Sequence, residues 1–154
     1  MTVLENSIRI DTTPDKVWSV LASLDALAKY DPGVSKSEVV SSAKDGLGAS
    51  RRCDLKPGGW FKERVADWRP NEALSFELYE CTLPVRRLRH DYTLVREGGA
   101  TVVRQRMEYE LKFGPLGRLL DAVMVRRKWT AGIKGFLSGL KRYAETDQPS
   151  VHAA

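Results

Sequence analysis

The sequence predicts one α+β domain in which a long C-terminal helix lies across a curved, seven-stranded antiparallel sheet. Three observations predict it: a first strand followed by two short helical stretches, six further strand-like segments, and an amphipathic stretch near the C-terminus. A chain of 154 residues fits one domain of this kind. Because one helix does not fill the concavity of a curved sheet, we also expect an internal cavity between them.

The first strand is predicted at residues 3–11, where Ile8 and Ile10 point to one face and their neighbours to the other. Residues 14–23 form the first helix, since proline suits a first helical position and the apolar side chains then recur at helical spacing. Asp25 can cap a second helical stretch, which must end before Pro32.

Turn signals then divide the chain at the spacing of a β-meander. Asp45-Gly46, Pro57-Gly58-Gly59, Pro70-Asn71, Pro84 and Gly98-Gly99 separate segments that alternate with a period of two. Short turns of this kind join antiparallel neighbours. The six predicted strands cover residues 35–44, 47–56, 60–69, 73–81, 86–97 and 100–111.

The last hairpin has a register that charge pairing identifies. A two-residue turn at Gly98-Gly99 places opposite charges across from each other on one face, as a solvent-facing ladder prefers: Asp91 with Arg106, Arg89 with Glu108, and Arg87 with Glu110. A slip of one residue would bury these charges. The inner face is then predicted to hold Leu94 with Val103, Tyr92 with Gln105, His90 with Met107, and Leu88 with Tyr109.

The hairpin at Pro70-Asn71 has two possible registers. A two-residue loop puts Glu63, Val65 and Asp67 on the face of Phe76, Leu78 and Glu80. A three-residue loop instead brings Trp68, Ala66 and Arg64 to that face. Both alternatives agree with the pattern, so the facing of Glu63 stays open. The facing of Arg51 and Cys53, in the strand before it, is open in the same way.

The long helix is predicted from about Leu116 to residues 143–145, before Pro149. We therefore expect a domain over residues 1–145 and a disordered tail over residues 146–154. The helix glycines are expected to allow close packing or bending. The predicted apolar stripe consists of Leu119, Val123, Thr130, Ile133, Leu137, Leu140 and Ala144.

Composition narrows the class of protein. No apolar run approaches the length of a membrane span, and the N-terminus does not resemble a secretion signal, so we expect a cytoplasmic protein. Cys53 and Cys81 predict free thiols, and no spacing of His and Cys predicts a metal site. The net charge of +5 is interpreted as a solvated basic face. Membrane contact is a less favoured interpretation, and nucleic acid is not expected as a partner.

Three polar side chains of the predicted inner face are candidates for chemistry. A buried imidazole at His90 can act as acid or base near neutral pH, and a hydroxyl at Tyr92 can donate to a ketone or enolate oxygen. Gln105 faces Tyr92 and can bind a ligand carbonyl. The alternatives are structural: an imidazole bound to a backbone carbonyl, and a plain hydrogen bond between Tyr92 and Gln105.

Motifs spread over residues 3–145 resemble the START/polyketide-cyclase superfamily, also called the helix-grip fold. The chain is most similar to its polyketide cyclase/dehydrase group. The motifs that carry the resemblance are Ile10-Asp-Thr-Thr-Pro-Asp-Lys-Val-Trp18, Tyr30-Asp-Pro-Gly-Val34, Gly48-Ala-Ser-Arg51, Glu63-Arg-Val65 with Trp68, Pro70, Leu74 and Phe76, Gly114-Pro-Leu-Gly117 with Leu119 and Leu120, and Leu137 through Leu140 and Lys141 to Glu145.

The resemblance implies a cavity that binds a hydrophobic small molecule, such as a polyketide-like aromatic or a lipid. It implies cyclase or dehydratase chemistry, with a non-catalytic lipid or isoprenoid carrier or sensor as the alternative. It also implies that Glu63 points into the cavity, although Glu63 can equally pair with a cross-strand arginine. Glu63, His90 and Tyr92 would be catalytic, and no cofactor is needed. The expected ligand contacts are Gln105, Tyr109, Met107, Leu88, Phe76 and Tyr30.

Overall fold

The computed structural model describes residues 1–147 and has the predicted α+β architecture. Strand β1 (Thr2–Ile10) is followed by helix α1 (Pro14–Leu21) and a 3₁₀ helix (Leu24–Lys29). Of the predicted tail over residues 146–154, residues 148–154 lie outside the described part of the chain.

Six strands form the meander, close to the predicted boundaries, and curve with β1 around the last helix. The order across the single antiparallel sheet is β1-β7-β6-β5-β4-β3-β2, so the first strand pairs with the last. The strands are β2 (Val34–Val39), β3 (Ser50–Leu55), β4 (Trp60–Arg69), β5 (Ala73–Cys81), β6 (Val85–Glu97) and β7 (Ala100–Leu111). The prediction of a strand to residue 44 is wrong, because pairing with β3 ends at Val39.

The register of the last hairpin is confirmed. Tyr92 lies opposite Gln105, His90 opposite Met107 and Leu88 opposite Tyr109. Gly98 adopts a φ of 62°, which the tight turn requires and which glycine adopts without strain. The inner face is therefore the predicted one.

The hairpin between β4 and β5 combines features of both alternatives. Its loop has three residues, so Trp68 lies opposite Leu74, but an irregularity between Val65 and Asp67 then shifts the register. Beyond the shift, Val65 lies opposite Phe76, and both side chains are buried. A bulge re-aims side chains in this way. Glu63 is consequently buried on the inner face.

The terminal helix consists of α2 (Gly114–Leu120), a π-helical turn (Asp121–Val125) and α3 (Arg126–Thr146). The stripe of α3 is buried as predicted, with Ile133, Leu137, Leu140 and Ala144 in the core. The first part of the predicted stripe is wrong, because its side chains in α2 and the π turn are exposed: Leu119 by 61% and Val123 by 65%. Within residues 1–147, no helix is long and apolar enough to cross a bilayer.

Candidate functional site

A cavity of about 320 Å³ lies between the inner face of the sheet and the terminal helix. The meander gives its floor and α3 gives its roof, so the predicted cavity is present where the fold leaves room for it. Five of the residues predicted from the β6–β7 register line it: Leu88, His90, Tyr92, Gln105 and Met107. Other apolar lining residues are Leu27, Val34, Leu55, Phe61, Leu78, Leu83, Ile133 and Phe136.

A buried ion pair forms part of the polar wall of the cavity. Glu63 on β4 lies opposite Arg51 on β3, and both line the cavity while being 2% and 3% exposed. Nε and Nη2 of Arg51 lie 2.8 and 2.7 Å from the same carboxylate oxygen, Oε1. Oε2 of Glu63 is buried and has no partner in the structure. Glu63 thus both pairs with a cross-strand arginine and lines the cavity, so the two alternatives for this residue are compatible.

Arg51 is held on three sides. Its Nη1 donates to the backbone carbonyl of Leu24 at 3.3 Å, and its guanidinium lies 4.2 Å from the ring centre of Phe76. Burial by itself would lower the pKa of Arg51, but the adjacent Glu63 carboxylate raises it above its ordinary value. The charged pair is therefore fixed in position, and one oxygen of its carboxylate is left without a hydrogen-bond donor.

His90 and Gln105 form a second polar group in the cavity wall. Nε2 of Gln105 lies 3.2 Å from Nδ1 of His90, and Oε1 of Gln105 is buried without a partner. In this arrangement the amide donates to Nδ1, which leaves the proton of the neutral imidazole on Nε2. The simple alternative of a Tyr92–Gln105 hydrogen bond is not the arrangement found.

The imidazole of His90 is neutral at pH 7. Burial lowers its pKa below the ordinary value; the Glu63 carboxylate opposes this effect, and the Arg51 guanidinium adds to it. Because protonation would place a further cation in a buried site beside Arg51, the folded protein resists it.

This lowered pKa predicts a pH dependence of stability. In the unfolded chain, His90 takes up a proton below its ordinary pKa of about 6.5. In the folded protein the lowered pKa keeps His90 unprotonated over the same range, so acidification favours unfolding. The free energy of unfolding falls by up to ~1.4 kcal/mol per pH unit until the pH reaches the lowered pKa of folded His90. Urea unfolding at about pH 7.5 and about pH 5.5 measures it, and His90→Gln should flatten this part of the profile. An unchanged slope in the variant would contradict the assignment.

Tyr92 completes the polar wall. Its ring stacks on His90 with centroids 6.1 Å apart and an interplanar angle of 13°, and it packs against Phe136 at 5.5 Å. Burial raises the pKa of Tyr92 well above its ordinary value, so its hydroxyl keeps its proton. It is therefore available as a hydrogen-bond donor.

The cavity opens between the β3–β4 loop and the terminal helix. Its lining includes exposed residues from each side: Lys56, Pro57 and Gly58 from the loop, with Lys128 and Gly132 from the helix. Trp129 also lines the cavity, next to Lys128. Two lysines and one indole ring thus flank this opening.

Three predicted ligand contacts lie behind the cavity wall. Phe76 supports Arg51 from below, and Tyr30 packs against Phe136 and Tyr143, each with ring centres 5.7 Å apart. Tyr109 is fully buried, with its hydroxyl bound to Asp121 and its ring 4.6 Å from that of Trp129. None of the three lines the cavity, because each is covered by a neighbouring side chain; they stabilise the wall.

The sequence did not decide on which face of the sheet Arg51 lies, and it did not indicate which side chains of the terminal helix line the cavity. Trp129, Ile133 and Phe136 line it because α3 crosses the sheet at this level. Asp121 was also missed. It receives hydrogen bonds from Thr2 at 2.6 Å and from Tyr109, and it pairs with Arg126 at 3.2 Å. Its signal in the sequence is that it is the one acidic residue between Lys112 and Lys128.

Neither cysteine lines the cavity. Cys53 and Cys81 are both free, as predicted. Cys53 is buried, and its burial raises the pKa of the thiol to about 12, which makes it inert as a nucleophile. Within residues 1–147, no three His, Cys, Asp or Glu side chains are grouped as metal ligands.

A family model described as "Polyketide cyclase / dehydrase and lipid transport" matches residues 1–145. The match includes the whole sheet, both ends of the cavity and nearly all of the terminal helix. The chain belongs to this polyketide cyclase/dehydrase family. The family assignment agrees with the resemblance in the sequence motifs and with the cavity of the structure.

Solved structures with this family's helix-grip fold are similar over nearly the whole chain. A protein of Thermus thermophilus is 22% identical, with a TM-score of 0.80, and the match covers 93% of this chain and 97% of that one. The Zhui aromatase/cyclase from a Streptomyces species is 15% identical, with a TM-score of 0.75 and coverage of 95% and 97%. A START superfamily protein from Mycobacterium smegmatis is 12% identical, with a TM-score of 0.74 and coverage of 91% and 97%. At these identities the likeness concerns the fold.

Proposed function

We propose that this member of the family binds a largely apolar, hydroxyl-bearing small molecule in the cavity and acts on it by acid–base chemistry. The observation that carries the proposal is the pair of unpartnered acceptors, Oε2 of Glu63 and Oε1 of Gln105, in an otherwise mainly apolar cavity. A buried acceptor without a partner is costly, so a bound hydroxyl or N–H group that donates to it gains affinity.

Each polar group has a role in this proposal. Glu63, held by Arg51, accepts a hydrogen bond from the ligand and orients it. His90, neutral at pH 7, exchanges a proton with the ligand, and Tyr92 donates to a developing enolate oxygen. Enolisation, ring closure and loss of water need only such donors and acceptors. The reactions named for the aromatase/cyclase relative are of this class.

A pair of matched probes tests the binding part of the proposal. β-Naphthol offers a hydroxyl donor, and its methyl ether has the same rings without one. The hydrogen bond to a charged acceptor is worth ~1.5–3 kcal/mol, so the naphthol should bind at least about tenfold more tightly. Calorimetric titration measures both affinities. Leu88→Trp, which fills the cavity, should abolish binding of both probes, whereas Leu47→Trp on the surface should leave it unchanged.

Equal affinities for naphthol and ether would contradict the role of the acceptors. Binding that survives Leu88→Trp would place the probes elsewhere and contradict the cavity itself.

A non-catalytic carrier is the second candidate. It is favoured by one observation: Glu63 and His90 each already have a protein partner, Arg51 and Gln105. Native mass spectrometry of the purified protein separates the two functions. A carrier retains and releases a co-purified compound unchanged, whereas a cyclase or dehydratase returns a closed or dehydrated product.

A further inference from the structure

The start of the terminal helix carries an unusual concentration of exposed apolar side chains. Half of the large apolar residues that are exposed within residues 1–147 lie in residues 113–124, which we call the exposed apolar segment. They are exposed by 40–65% and recur at helical spacing, so they form one stripe: Phe113, Leu116, Leu119, Leu120, Val123 and Met124. A contiguous stripe of this kind marks an interaction surface.

The exposed apolar segment is anchored to the body of the domain. Asp121, in the π turn, is 5% exposed and binds Tyr109 and Thr2 on two neighbouring strands. Burial alone would raise the pKa of Asp121, but the hydrogen bonds from Thr2, Tyr109 and Arg126 hold it below its ordinary value. The segment therefore has a fixed attachment, while its apolar side chains point outward.

The basic side chains around the exposed apolar segment favour an anionic partner. Residues 112–128 carry five basic side chains against Asp121, which is buried and paired: Lys112, Arg118, Arg126, Arg127 and Lys128. Two copies packed face to face would bring these like charges together. An anionic lipid surface instead receives the apolar stripe at its acyl boundary and the cations at its headgroups.

We propose that the exposed apolar segment docks this protein on an anionic lipid bilayer. The segment lies flat at the interface, with its leucine, valine, methionine and phenylalanine side chains inserted and its basic residues among the headgroups. Lys128 and Trp129, which line the cavity, follow it within about one helical turn. Docking brings the cavity mouth to the lipid surface, where an apolar ligand is concentrated. The docking does not depend on any acid–base activity in the cavity.

Vesicle sedimentation tests the proposal. The probes are vesicles of equal parts phosphatidylglycerol and phosphatidylcholine, and vesicles of phosphatidylcholine alone, each at low and at high salt. We expect the protein to sediment with the anionic vesicles, to stay in solution with the neutral ones, and to be released by salt. Failure to sediment with anionic vesicles at low salt, or equal binding to both kinds, would overturn the proposal.

Two sets of variants test which residues carry the binding. Leu119→Glu with Val123→Glu should reduce partitioning by about tenfold or more, because it places charges in the stripe. Arg118→Gln with Arg127→Gln should reduce it by about fivefold for each charge. Leu47→Glu, at a side chain that is 71% exposed between β2 and β3, is the matched control and should change nothing.

Two further measurements exclude other causes. Circular dichroism should show the variants folded, and β-naphthol affinity should be unchanged in them, because none of these side chains lines the cavity. Light scattering should show the same oligomeric state for the wild type and for the Leu119→Glu, Val123→Glu variant. A wild-type dimer that this variant dissociates would identify a second copy as the partner and overturn the lipid assignment.

Discussion

Replacing either member of the buried Arg51–Glu63 pair by an apolar residue should lower the free energy of unfolding by about 3–5 kcal/mol. Arg51→Met leaves a carboxylate that is 2% exposed without its cation, and Glu63→Leu leaves a guanidinium that is 3% exposed without its anion. The remaining charge is almost fully buried and has lost its partner, so most of its desolvation is uncompensated. Chemical unfolding of both variants at pH 7 measures the loss.

The double variant Arg51→Met, Glu63→Leu should recover most of that stability, because it leaves no buried charge. The matched control is Lys62→Met, which breaks the Lys62–Glu80 pair on the same sheet. That pair spans 3.3 Å with its side chains 27% and 53% exposed, so its loss should cost less than ~1 kcal/mol. Additive losses in the double variant would show that the two charges do not compensate each other.

The same double variant also separates stability from function. If Glu63 accepts a hydrogen bond from the ligand, the folded double variant should lose the preference for β-naphthol over its methyl ether, because Oε2 of Glu63 is gone. A preference that persists would assign discrimination to Gln105 alone.

The extent to which the sequence predicts this site varies from strand to strand. The β6–β7 register was predictable because three charge pairs on one face exclude every slipped alternative. It placed five residues in the cavity wall correctly: Leu88, His90, Tyr92, Gln105 and Met107. The facing of Glu63 was not predictable, because a bulge between Val65 and Asp67 changes the register within β4 and leaves no periodic signal.

Helical periodicity reports which face is apolar, but it does not report what covers that face. Leu119 and Leu137 both follow the predicted stripe, yet only Leu137 has the sheet beneath it. The π turn at Asp121–Val125 interrupts the period between them. The placement of Tyr109 follows from the same tertiary contact, since Asp121 draws its hydroxyl away from the cavity.

Gly139→Ala should destabilise the protein by roughly 1–3 kcal/mol, because the terminal helix crosses the chain at Tyr30 without room for a methyl group. A Cβ at Gly139 would overlap the carbonyl oxygen of Tyr30 and stand 2.9 Å from its carbonyl carbon. Both groups are backbone, so only a shift of the whole helix relieves the overlap. That shift would disturb Phe136, which lines the cavity one turn earlier.

Gly132 is the matched control in the same helix. A Cβ there meets no atom within 4 Å, so Gly132→Ala should stabilise the helix by about 0.5–1 kcal/mol. Thermal and chemical unfolding of the two variants should therefore move in opposite directions from the wild type. A stabilising effect of Gly139→Ala would mean that helix and Tyr30 are not in close contact in solution, and the roof of the cavity would then be higher than the structure shows.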